Sequence, residues 1–173
     1  MENSQLILVD QNDIQTGIME KMEAHQKGVL HRAISVFIFS TKGDWLLQRR
    51  ALGKYHSGGL WTNTCCSHPF PGESNIEAAN RRLQEEMGMK GELKELFAFT
   101  YMEHLDHGLI EHEFDHVFYG IIDENPEINI IEVMEWKYVN YFNLHKDIIE
   151  NPDNYTVWFK KIFERVHQYI SKQ

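Results

Sequence analysis

The chain has 173 residues and a formal net charge of −9, room for one domain with a real hydrophobic core and a charge that disfavours wrapping nucleic acid. No apolar run approaches the length of a membrane span, and the N-terminus lacks the basic-then-apolar pattern of a signal peptide, so neither a nucleic acid nor a membrane is expected as a partner. The only cysteines, Cys65 and Cys66, are adjacent; neighbours rarely form an unstrained disulfide, and both read as reduced thiols of a cytoplasmic protein.

In chain order, residues 5–9 and 14–17 read as a hairpin around a polar turn at 10–13. Residues 31–40 and 45–50 read as strands joined by a turn at 41–44. Residues 51–73, rich in Gly, His, Pro and Cys, read as a long ordered loop, the kind that is usually functional. A helix is expected over 75–87. Ser74 and Glu77 supply a capping box, Gly88 supplies the stop, and Ile76, Ala79, Leu83 and Met87 share one face. Strands follow at 93–102 and 111–122 around a turn at 106–108, then a short strand at 133–141. Residues 155–170 read as an amphipathic helix. With no repeat or linker, the whole chain, 1–173, is expected to form a single α/β (α+β) domain with sheet and helices in layers.

Several groups carry chemistry. Glu111 and Glu113 stand two apart in a strand, so both point to one face, which Asp115 continues. Paired carboxylates repel unless a cation sits between them; the alternative is a solvated acidic face. Ten histidines make a metal site worth seeking, and His25, His31 and His68 with the two carboxylates offer donors for a divalent ion. Cys66 and His68 lie too close in sequence for an ordinary cysteine–histidine dyad. On the helix, Arg81/Glu85 and Arg82/Glu86 are spaced for ion pairs. They are either surface bridges or a carboxylate for Mg²⁺ beside a guanidinium for phosphate. Lys21, Arg50 and Lys54 add cations that can focus positive potential on a pocket, whereas Arg49 reads as surface charge.

The stretch from Gly72 to Met89 resembles the Nudix signature. Arg81, Leu83, Glu85, Glu86, Gly88 and Met89 agree with it. Ala78 stands where the pattern has its first Glu, and Arg82 where it has the Glu after Arg. Both departures resemble one branch, the type I isopentenyl-diphosphate isomerases. Thr62-Asn63-x-x-Cys66-x-His68-Pro69 is similar to that branch's cysteine motif, Glu111-His112-Glu113 to its glutamate motif, and Trp158 to its C-terminal tryptophan.

The resemblance implies a Nudix-like mixed β-sheet sandwiched between helices. It implies one divalent metal, Mn²⁺, Mg²⁺ or Zn²⁺, on His25, His31, His68, Glu111 and Glu113. A second ion, Mg²⁺ arriving with the diphosphate, would sit on Glu86 and the backbone carbonyl of Cys66. Lys21, Arg50, Lys54 and Arg82 would grip the phosphates of a small prenyl diphosphate. Cys66 and Glu113 would flank the alkene, Tyr101 would bond near Glu113, and Trp158 would face the isoprenyl carbons. Double-bond migration through a tertiary carbocation needs one acid, one base and a dry pocket, and an aromatic face stabilises the cation. A Nudix hydrolase of a nucleoside or related diphosphate is the alternative within the fold. A non-catalytic, metal-stabilised binding module is the alternative outside catalysis. Assembly stays open between a monomer and a weak dimer.

Overall fold

The computed structural model describes residues 5–172. Its organising strand is β3 (His31–Phe39), buried along nearly its whole length. Alternate residues of a strand face opposite ways. Ile34, Val36 and Ile38 pack with Leu83 and Met87 of α2 (Asn75–Met87). Phe37 and Phe39 belong to a second cluster with Phe159 and Ile162 of α4 (Val157–Ile170). Burial on both faces is why β3 reads as a continuous apolar run. The result is the expected mixed sheet with helices packed on it.

Two edges of β3 position the chemistry. Along one edge runs β8 (Ile110–Ile121), parallel and in register from His31↔Glu113 to Phe39↔Ile121. β7 (Lys94–His104) continues the sheet antiparallel to β8 and sets Tyr101 opposite Glu113. Along the other edge, β3 forms a hairpin with β4 (Trp45–Arg50) but pairs with it only at Ile38↔Leu46 and Phe39↔Trp45. The strands then diverge, and residues 61–67 fill the fork. β5 (Trp61–Thr62) pairs with β4, and β6 (Cys65–Ser67) pairs with β3.

Side chains between β5 and β6 satisfy the backbone groups that the fork exposes. Thr64 Oγ1 accepts from the Ile38 amide at 2.8 Å and donates to the Leu46 carbonyl at 2.7 Å. Asn63 Nδ2 donates to the carbonyls of Val36 (3.1 Å) and Cys65 (2.7 Å). Both residues are fully buried, where an unpaired backbone group is costly. The expected 51–73 loop is thus corrected. Its second half holds two short strands, created by side-chain bonds that no hydrophobic alternation announces.

The N-terminal hairpin, β1 (Gln5–Val9) with β2 (Gln15–Glu20), runs three residues past the expected end at 17 and feeds α1 (Lys21–Lys27). This helix of about two turns and α3 (Tyr141–Glu150) have no counterpart among the expected elements. α1 is short and mostly polar, and α3 begins at Tyr141, the last residue of the expected strand 133–141. β9 (Val133–Val139) pairs with β4. In α2 the capping box and the left-handed Gly88 stand as expected, but Ile76 is exposed while Ala78, Arg82 and Glu86 are buried.

Candidate active site

Three separate segments deliver imidazoles to one place. His25 on α1, His31 at the start of β3 and His68 just after β6 meet Glu113 of β8. One ligand atom from each lies within 4.8 Å of the others. His25 Nδ1 faces the Lys21 carbonyl at 2.7 Å, and His31 Nδ1 faces that of Val29 at 2.8 Å. A carbonyl only accepts, so each Nδ1 carries the ring proton and each Nε2 keeps its lone pair. Both Nε2 atoms are buried without a partner. Inward lone pairs with the far nitrogens pinned by carbonyls are the arrangement of metal-binding histidines. Three imidazoles and a carboxylate suit a divalent ion. Burial holds His25 below its ordinary value and pushes His68 down to about 3, which keeps both neutral, as ligation requires.

Glu111, Glu113 and Asp115 all point inward from β8 and are buried, which overturns the solvated-face alternative. The Tyr101 hydroxyl donates to Glu113 Oε2 at 2.6 Å and lies 3.1 Å from Glu111 Oε2. Glu111 stands beside the four-residue cluster, not in it; its Oε1 is 3.5 Å from His56 Nε2. Burial and then the charge of Glu113 hold the Glu111 carboxyl well above the usual range. Burial also opposes ionisation of Glu113, but the nearby imidazoles, His31 Nε2 at 3.7 Å and His68 Nε2 at 3.0 Å, outweigh it and hold Glu113 well below. Of this pair, Glu113 is the ionised member.

Cys66 lies opposite Ser35 on the other edge of β3, whereas Cys65 packs in the α2 core. Both thiols are free. Burial pushes Cys66 up to about 12, so the thiol is neutral near pH 7. Cys66, Glu113, Tyr101 and Trp158 line one cavity of about 50 Å³. Trp158 is both a core residue of α4, 2% exposed, and a wall of this cavity. The Arg50 guanidinium sits 5.2 Å from its ring centre.

The expected cations converge at the cavity mouth. Lys21, Lys54 and Arg82 line both the inner cavity and an outer chamber of about 480 Å³, and Arg50 lines the inner one. Burial first, then repulsion from Lys54, Arg82 and Arg50, holds the Lys21 amine below its ordinary value. Such crowding in an acidic chain concentrates positive potential in one place. Arg82 Nη2 bonds Glu86 Oε1 at 2.6 Å, and Gln48 bonds the other oxygen of Glu86 at 2.6 Å. This buried pair overturns the surface-bridge alternative for Arg82 and Glu86. Arg81 and Glu85, at 3.2 Å, fit it better. Arg49 is part-exposed and pairs with Glu135 at 3.3 Å, as surface charge should.

A NUDIX domain model matches residues 29–161. An isopentenyl-diphosphate Delta-isomerase of Pectobacterium atrosepticum is 50% identical over 169 residues, 98% of this chain and 94% of the relative. An isopentenyl-diphosphate Delta-isomerase 2 of Aromatoleum aromaticum is 52% identical over 162 residues, 94% of this chain and 86% of the relative. This chain belongs to the isopentenyl-diphosphate Delta-isomerases of the Nudix fold. Among solved structures, a Deinococcus radiodurans protein matches with a TM-score of 0.72 at 18% identity, covering 85% of this chain and 90% of its own. That likeness concerns the fold alone.

Within the isomerase family, the two departures from the Nudix signature have physical reasons. Ala78 is fully buried in the α2 core, where a glutamate would lack solvent and partner. Arg82 replaces a carboxylate with a guanidinium among the converging cations. Tyr55 and His56 also wall the inner cavity and carry no sequence signal of their own. They arrive because the loop after β4 folds back, with the Gly59 amide on the Arg50 carbonyl at 3.0 Å and Arg50 Nη2 on the His56 carbonyl at 3.3 Å. Among the described residues no helix is long and apolar enough to cross a membrane.

Proposed function

We propose that this chain, acting as a single domain, interconverts isopentenyl diphosphate and dimethylallyl diphosphate by protonation and deprotonation through a tertiary carbocation. The observation that carries the reading is a neutral thiol, Cys66, and an ionised carboxylate, Glu113, on opposite edges of β3 and facing one small cavity. Between them they hold one mobile proton. One adds a proton to the alkene and the other removes one from the neighbouring carbon. Their separation across β3 supports attack from two sides of a flat alkene. Tyr101 fixes the Glu113 carboxylate, and Trp158 offers the cation an aromatic face in a site with little room for water.

His25, His31, His68 and Glu113 would hold a divalent ion, Mn²⁺, Mg²⁺ or Zn²⁺, with Glu111 able to join by side-chain rotation. Glu86 and the Cys66 carbonyl would hold Mg²⁺ arriving with the substrate. Bound there, such ions lower the proton affinity of their carboxylates and neutralise phosphate charge. Lys21, Arg50, Lys54 and Arg82 would bind the diphosphate as charged donors. Free thiols fit a reducing, cytoplasmic compartment. The hydrolase alternative shares the anion seat but gives Cys66 nothing to do.

Proton NMR in D₂O with isopentenyl diphosphate and Mg²⁺ tests the reading. Dimethylallyl diphosphate carrying deuterium should appear, and Cys66→Ala and Glu113→Gln should each lose at least about a hundredfold in rate. Release of phosphate with the alkene untouched would instead establish hydrolysis.

A further inference from the structure

Glu132, just before β9, has no part in the reaction described above. Its Oε2 is bonded by Lys54 Nζ and lies 3.3 Å from Arg82 Nη2. Lys54 comes from the loop after β4 and Arg82 from α2, so one carboxylate oxygen bridges two cations from different elements. A phosphate oxygen would make the same bridge. Among the described residues, Lys21 and Arg50 form no ion pair, and Glu132 is the acid that joins two of the four cations. The Glu132 side chain lines the outer chamber with Lys21, Lys54 and Arg82.

We propose that Glu132 is an internal counter-ion of the diphosphate seat, holding the phosphate position between Lys54 and Arg82 until the substrate displaces it. The inference rests on the diphosphate-gripping role given to those two residues. Against the cost of burial, Lys54 and Arg82 keep its carboxyl below the usual range, so it is charged in the working pH range. Its backbone is fixed, with the amide on the Asn129 carbonyl at 2.9 Å and the carbonyl receiving the Ala51 amide at 2.9 Å. Only the side chain has to turn away. Without an anion, the convergent cations repel one another; with Glu132 present, the empty site is stable, and substrate binding must first break two ion pairs. Glu132 therefore trades affinity for stability of the unliganded enzyme, a trade common at functional sites.

The sign of one substitution tests this. Calorimetric titration with inorganic diphosphate and Mg²⁺ gives the affinity, and thermal melting of the ligand-free protein gives the stability. Glu132→Gln should bind diphosphate about five- to thirtyfold more tightly, the worth of one or two kcal/mol, and should melt lower when empty. Glu132→Asp keeps the charge but withdraws it by one methylene, so it should move both quantities the same way by less; it decides the matter if the Gln variant does not fold. Unchanged or weaker binding by these variants overturns the counter-ion role and leaves the isomerase reading intact. Failure of the unsubstituted protein to bind inorganic diphosphate removes the phosphate grip itself, and this inference with it.

Discussion

Replacing Tyr101 with Phe removes one oxygen from the centre of the site. The phenol is 8% exposed and donates to Glu113 at 2.6 Å, with Glu111 a second acceptor at 3.1 Å. A hydroxyl has one proton, so one strong bond is lost, not two. The ring remains, with its stacking on Phe99 at 5.5 Å between centroids, so no core cavity opens. A hydrogen bond to a charged group contributes about 1.5–3 kcal/mol. If that bond orients Glu113 for proton transfer, kcat should fall by about 10- to 150-fold, at 1.4 kcal/mol per decade. KM should stay within about threefold, because the cations proposed to grip the phosphates come from α1, β4, its following loop and α2. Steady-state kinetics on isopentenyl diphosphate, with metal content measured in parallel, is the assay. A kcat within threefold of the parent enzyme, or a loss confined to KM, would refute the orienting role.

Chelation of divalent ions should abolish isomerisation while the far-ultraviolet circular dichroism at 25 °C stays unchanged, because both large apolar clusters form without the histidine site; unfolding on chelation would point instead to a metal-stabilised module. Cys66, raised by burial from 9.0 to about 12, stays protonated until pH nears that value, so its thiolate fraction at neutral pH is roughly a thousandfold below that of a free thiol. Iodoacetamide at pH 8.5, followed by mass spectrometry, should label Cys66 far more slowly in the native protein than in urea, and equal rates would contradict the buried neutral thiol.

Local features of the chain were legible because their causes lie within a few residues. The α2 helix follows from the apolar period, the Ser74–Glu77 cap and Gly88. The inward pair Glu111 and Glu113 follows from the two-residue period of a strand, once β8 is recognised. β3 follows from its apolar run. The shape of residues 61–67 was not legible, because Asn63 and Thr64 act on backbone groups of β3 and β4 that are distant in sequence. The short α1 was hidden by its polar composition and the start of α3 by a residual strand pattern, since each is held mainly by what it packs against.

By itself the sequence determined the layered α+β class, the isomerase family through its cysteine and glutamate motifs, and the types of side chain available for chemistry. Tertiary structure alone decided which of them meet. It joined His25, His31 and His68 at Glu113, left Glu111 beside that group, brought His56 to Glu111 and placed Glu132 between Lys54 and Arg82. The physical reason is register. The parallel alignment of β3 with β8 and the fork between β3 and β4 fix distances between residues tens of positions apart, and no local period encodes those distances.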